Sequence, residues 1–147
     1  MAIEEKNVYS TGNVPSKDWF LQFLVNLANK NRFELDITLT VGGILISGTL
    51  VGVRQYFDDL SGYFAGLFET GKNSLVIKET FKKIGDQCTC VLPSEQTETP
   101  SYIHLKNAHF SDAHGKLVSG NAGICWRGRI SEVQGFAPGK LIKEGSL

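Results

Sequence analysis

The residue types that could carry chemistry in this chain are few and scattered. Cys88, Cys90 and Cys125, with His104, His109 and His114, hold the donor atoms that zinc takes. Their spacing argues against a site. Structural zinc sites place about two to four residues between paired cysteines, whereas Thr89 alone separates Cys88 from Cys90. The histidines fall on an expected strand and turn, without the helical spacing that presents two imidazoles to one metal. They read as strand surface, the cysteines as small part-buried side chains, and no metal is expected. Asp58 and Asp59 are adjacent. Glycosyl transfer draws its carboxylates from separate elements across a cleft, and neighbours along a helix do not face each other, so this pair reads as a solvated helix face. The chain has no G-x-S-x-G, P-loop or G-x-G-x-x-G. Ser119–Gly123 is glycine-rich, but no helix is expected after it to offer an N-terminus to phosphate, and it reads as a hairpin connection. No catalytic residue and no cofactor are expected; the chain does not read as an enzyme.

Two groups of residues point instead to binding. Trp126-Arg127-Gly128-Arg129 mixes an aromatic with basic residues on an expected strand, a combination that can hold single-stranded nucleic acid by stacking and guanidinium contacts. The plainer reading is a core tryptophan and two solvent-facing arginines. Charge favours the plainer one: 15 basic residues balance 15 acidic ones, giving a formal net charge of zero, and phosphate binding depends on cationic excess. The second group is Tyr56, Phe57, Leu60, Phe64, Leu67 and Phe68, which fit one aromatic face of a helix within Arg54–Gly71. Half of that face would cover the open side of the barrel and the rest would form an exposed apolar patch, the kind that marks interaction sites; plain core packing is the alternative of equal weight. Tyr56, Phe57, Phe64, Phe68, Trp126, Arg127 and Arg129 are the candidate interaction residues.

These residues need elements to position them. At 147 residues, 41% hydrophobic and 20% charged, the chain can bury one core. Residues 1–15 read as a flexible arm, with no basic n-region and apolar stretch of a signal peptide. No segment approaches the roughly 18 apolar residues of a membrane span. An odd cysteine count argues against a disulfide framework and for a reducing cytoplasm. Ser16 is placed to cap a helix carrying Trp19, Phe20, Phe23, Leu24, Leu27 and Ala28 at helical spacing, with Leu21 and Val25 widening the stripe enough to engage a second face. Phe33 to Val41 alternates apolar with polar residues, Gly42-Gly43 reverses the chain, and Ile44–Val53 is a second β run in which Gly48 and Gly52 mark bends. Ser74 is placed to cap a helix over Leu75–Ile84 that Gly85 ends. The proline-bounded part of residues 86–100 reads as a loop. Strands are expected over Tyr102–Phe110, Lys116–Val118 and from Ile124 onward. Gly135–Gly139 ends the packed part, and residues 140–147 read as a loose tail. One α+β domain over residues 16–139 is expected: an N-terminal helix on a small, strongly bent antiparallel β-barrel, interrupted over residues 54–100 by a helical insertion and loop between strands two and three.

Two resemblances follow from these segments. A helix followed by TLTVGGILISGTLVGV, SYIHLKNAHF and CWRGRISEVQGF is similar in order to a small Sm-like (SH3-like) barrel, with Gly43 and Arg127-Gly128 suitably placed for that family's turn glycine and basic-Gly dipeptide. Arg54–Pro100 stands where such a barrel needs only a short link, so ring assembly and RNA binding do not carry over directly; an Sm-like RNA-binding module is the alternative function. KDWFLQFLVNLANKNRFELDITLTVGGILISGTLVGVRQYF, SYIHLKNAHF and WRGRISEVQGFAPGKL cover most of the chain and resemble the gas vesicle accessory protein GvpU family. That resemblance implies a cytoplasmic, non-enzymatic bacterial factor associated with gas vesicle assembly state and clustering, with the vesicle wall or other gas vesicle proteins as partners. It supplies no catalytic residue. The neutral charge and the aromatic face add an expected homo-oligomer, and neither nucleic acid nor membrane is expected as a partner.

Overall fold

A computed structural model of the chain describes residues 16–68, 71–89, 99–118 and 122–142. Its elements run α1 (Trp19–Asn31), β1 (Leu35–Val41), β2 (Ile44–Val51), α2 (Val53–Gly66), α3 (Lys72–Thr89), β3 (Tyr102–Ser111), β4 (Ile124–Arg129), a 3-10 turn (Ile130–Glu132) and β5 (Gly135–Pro138). The expected arm over residues 1–15 and the loop over 90–98 lie outside the described residues.

The alternating segment forms the hairpin its pattern requires. β1 and β2 pair antiparallel from Leu35↔Leu50 to Val41↔Ile44. Gly42 (φ 58°) and Gly43 (φ 81°) make the reversal in the left-handed region, which glycine enters without a Cβ penalty. The β2–β3 register shifts between Ser47 and Thr49, where two steps along β2 face three along β3, so the bulge lies in β3 around Asn107 (φ 50°), opposite Gly48. There a Cβ on Gly48 would stand 3.1 Å from the Lys106 carbonyl oxygen.

The five strands form an antiparallel sheet in the order β4-β3-β2-β1-β5. The sheet is open, so the expected closed barrel is not formed; β4 and β5 end it as separate edges. The last long strand was expected to continue from Ile124. It stops at Arg129, where the 3-10 turn buries Ile130 and lets the chain cross to the far edge. Gly135–Pro138, expected to end the packed part, is instead β5, paired with β1 from Thr40↔Gly135 to Ile37↔Pro138. Proline is tolerated there because an edge strand has one unpaired side. Residues 116–118 contribute only the isolated bridge Ser111↔Leu117.

One face of the sheet carries the apolar core. Ile37 and Leu39 of β1, Ile46 and Leu50 of β2, and Ile103 and Leu105 of β3 are buried together against Leu21, Val25 and Ala28 of α1. The opposite face is also buried around Thr38 and Ser47, yet it is polar. Burial of hydroxyls is tolerable when each is hydrogen-bonded. Thr38 Oγ1 donates to the Gly139 carbonyl (2.8 Å) and accepts from the Leu141 amide (2.9 Å). Because Thr38 has one hydroxyl proton, Ser47 must be the donor in their 2.6 Å contact, while Ser47 Oγ accepts from the Ile142 amide (3.0 Å). Lys140–Ile142, expected in the loose tail, are therefore tied to the sheet.

Both helical caps differ from expectation for local reasons. Asp18, not Ser16, caps α1: its carboxylate accepts from the Phe20 and Leu21 amides at 2.9 and 3.3 Å. α3 starts at Lys72 and continues through Gly85 to Thr89. Gly85 is buried on α2, where a Cβ would stand 3.3 Å from Phe57 Cβ and 3.5 Å from Arg54 Cα. It serves close helix packing rather than termination. Gly52 acts similarly at the joint between β2 and α2, where a Cβ would fall 2.6 Å from the Ala28 carbonyl oxygen. The same joint is held by the Val53 amide donating to Asn29 Oδ1 at 3.0 Å.

Two substitutions should separate these roles in urea denaturation. Gly52→Ala must push α1 and α2 apart and is expected to lose about 1–3 kcal/mol, the usual cost of overpacking. Gly62→Ala, inside α2 with open space around its Cβ position, is expected to gain about 1 kcal/mol from helix propensity. A neutral Gly52→Ala would contradict the close approach described.

Candidate interaction surface

The candidate residues do not converge on one site; the fold distributes them over three places. Tyr56 and Phe57 lie in the first turns of α2, which sets down on β3 and β4. Tyr56 is only 8% exposed. Its ring stands 4.6 Å from that of His104 and 5.3 Å from Phe57 in an edge-on arrangement. These two side chains attach the helical hairpin to the sheet. Burial raises the Tyr56 pKa, with a contribution from Cys125 that Arg127 partly offsets.

Phe64 and Phe68 are at the other end of α2. Phe64 meets Phe81 of α3 edge-on at 5.4 Å, and Phe68 is 42% exposed. Leu67, Leu75 and Val76 stand exposed near them in the chain, forming an apolar tip to the α2–α3 hairpin. With the rise of an α-helix, α2 carries this tip roughly 20 Å from the joint at Gly52.

Trp126, Arg127 and Arg129 share β4 but not a face. Trp126 packs against the core, and its indole ring occupies the space a Cβ on Gly128 would take. The arginines alternate onto the opposite face. Arg127 lies over the Tyr102 ring at 3.8 Å, and its Nε donates to His104 Nε2 at 3.2 Å. The core tryptophan and outward arginines are the plainer of the two sequence expectations.

Two features were not among the sequence candidates. The first is His104, 3% exposed between β3, β4 and α2. Burial, and secondarily Arg127, lowers its pKa from 6.5 to about 4. Since Nε2 accepts from Arg127, the neutral ring carries its proton on Nδ1, which is buried with no hydrogen-bond partner in the described residues. No signal in the sequence separated this histidine from the exposed His114. The second is the outer face of α1. Leu21, Val25 and Ala28, spaced i, i+4, i+7, take the buried side, which turns Trp19, Phe20 and Phe23 outward, Phe23 to 52% exposure. Phe20 sits between Phe23 (6.4 Å, stacked) and Phe136 of β5 (5.8 Å). The signal was present: Leu21 and Val25 fall off the aromatic stripe, and one of the two stripes had to face outward.

Asp58 is exposed, and Asp59 accepts from Gln55 Nε2 at 2.8 Å. Burial raises the Cys125 pKa, and Asp59 raises it further, so the thiol is not activated. No cluster of three or more histidine, cysteine or acidic residues among the described residues could hold a metal ion; Cys90 lies outside them. Among the described residues, no helix is long and apolar enough to cross a membrane.

His104 sets a pH dependence with a definite sign. Its folded-state pKa is depressed, so from about pH 6.5 down to about 4 the unfolded chain takes the proton and the folded chain does not. Stability is expected to fall as pH drops through that window, by an amount on the order of 3 kcal/mol. Urea midpoints from pH 7 to 4 should show a clearly shallower slope for His104→Gln; a variant as steep as the parent would assign the slope to other groups.

No curated protein matches the chain, and no solved structure does. The model of the family described as gas vesicle protein GvpU-like matches residues 18–141, from the α1 cap to the segment after β5. The chain belongs to the GvpU-like family of gas vesicle proteins.

Proposed function

We propose that the chain is a non-enzymatic, cytoplasmic accessory protein that associates with copies of itself and with gas vesicles, and so influences their assembly or clustering. Family membership supports the vesicle as its setting. One observation carries the rest: the molecule has two apolar surfaces at the outer ends of two helices that meet at Gly52. One is Trp19, Phe20 and Phe23 on α1; the other is Phe64, Leu67 and Phe68 with Leu75 and Val76 at the α2–α3 tip. Large apolar side chains grouped on a surface favour association. Two such groups on one chain allow it to engage a neighbouring copy and a vesicle wall at once, and linked weak contacts give strong overall attachment. A net charge of zero leaves little repulsion to oppose this.

Less supports the Sm-like RNA-binding module. Trp126 faces the core, the Tyr102 ring lies under Arg127, and the sheet is open. Base stacking would have no free aromatic platform on β4.

Light scattering of purified gas vesicles tests the proposal. The parent protein is expected to cluster them. Leu67→Glu/Phe68→Glu and Trp19→Glu/Phe23→Glu, each altering exposed side chains, are expected to retain their fold by circular dichroism and to raise the protein concentration needed for half-maximal clustering about tenfold. That effect corresponds to about 1.4 kcal/mol of lost association. Clustering unchanged in both folded variants would contradict a bridging role for the two surfaces.

A further inference from the structure

β4 is a sheet edge with a side-chain arrangement that goes beyond guarding it. It pairs with β3 alone, in the register Tyr102↔Arg129, His104↔Arg127 and Leu105↔Trp126. Its outer backbone groups therefore have no strand partner among the described residues. Arg127 and Arg129 stand two residues apart on one face, both exposed.

Arg127 is held in place by neutral groups. Its guanidinium plane rests on Tyr102 at 3.8 Å, and its Nε donates at 3.2 Å to a histidine whose environment keeps it uncharged. With Nε engaged, neither Nη group has a hydrogen-bond partner among the described residues, and such a fork suits a carboxylate in bidentate fashion. A pre-oriented arginine loses little conformational entropy when it binds. Neither arginine has an ion-pair partner among the described residues. Asp59, whose charge reaches Cys125, is engaged by Gln55.

We propose that the outer edge of β4 docks an extended acidic segment of a partner protein, which adds as a sixth strand and sets carboxylates two residues apart on Arg127 and Arg129. The strand period places alternate side chains of the incoming segment on one face, matching the arginine spacing. Main-chain hydrogen bonds along the edge supply affinity, and the arginine pair selects charge and register. Nucleic acid fits the same residues less well, because both nearby aromatic rings are occupied, Trp126 by the core and Tyr102 by Arg127. The site is separate from the two apolar surfaces and does not depend on them.

Fluorescence anisotropy on the full chain tests this with a labelled short peptide alternating glutamate and threonine. The comparison peptides are its glutamine-for-glutamate form and a form with alternate amides N-methylated. The glutamate peptide is expected to bind about tenfold tighter than either. Arg127→Lys, which keeps the charge but loses the fork, should remove most of that advantage, as should Arg129→Gln, which disturbs no buried group. Leu67→Glu/Phe68→Glu should bind the peptide as the parent does. Equal binding of the glutamate and glutamine peptides would mean that the arginines only guard the edge, and would overturn the proposal. Equal binding of the N-methylated peptide would overturn strand addition. Tighter arginine-dependent binding of oligouridylate than of the peptide would overturn the choice of partner.

Discussion

The rest of the molecule depends on β2 being covered on every side. Ile46 to Val51 are all buried: Ile46 and Leu50 face the core shared with α1, while Ser47 and Thr49 face the polar side. A strand covered on both faces loses the simple apolar-polar alternation, because each face must be satisfied in its own way. Here one is satisfied by hydrocarbon packing and the other by a hydroxyl network closed by amides from beyond β5. Gly48, facing the β3 bulge, and the joint at Gly52 place tight backbone contacts at the middle and end of this strand. α2 leaves directly from that joint, so the direction of the helical hairpin is set by how β2 is seated.

This arrangement separates the residues that build the core from the apolar residues that stay exposed. The first turns of α2 carry Tyr56 and Phe57 and close the edge of the structure over His104. From there α2 and α3 pack mainly on each other, with Gly85 permitting their close approach. Their far end can be apolar without being needed by the core. α1 makes a similar division across its own width, giving its aliphatic side to the sheet and its aromatic side to solvent. Both exposed surfaces are thus by-products of rigid elements whose other faces are committed, which keeps them fixed rather than collapsed.

Legibility from sequence followed the strength of local constraints. The β1–β2 hairpin was legible because Phe33–Val41 alternates strictly and Gly42-Gly43 fits a turn with both φ values positive. The helical insertion between β2 and β3 was legible from its change of period. β5 was not: it is short, carries Gly135 and Pro138, and is a strand only because β1 offers an edge to it. Barrel closure was inferred from bend-making glycines, but bends do not decide whether two edges meet. Gly85 resembled a helix stop because its packing role needs the partner helix to be seen. For the candidate residues, the sequence separated Trp126 from Arg127 and Arg129 correctly by alternation. It could not show that Tyr56 and Phe57 are structural while Phe64 and Phe68 reach solvent, since all four share one periodic face. The role of His104 depends on three elements distant in sequence, and nothing local marks it.

The central proposal is that a chain with an α+β core brings exposed apolar surfaces to gas vesicles. Flotation measures this most directly: purified vesicles are mixed with the protein, allowed to rise, and both layers are assayed for the chain across a range of salt. The expected result is protein in the buoyant layer, retained at high salt because apolar contacts are not screened as charges are. Protein left wholly in the clear layer beneath the vesicles at every salt concentration would contradict the account.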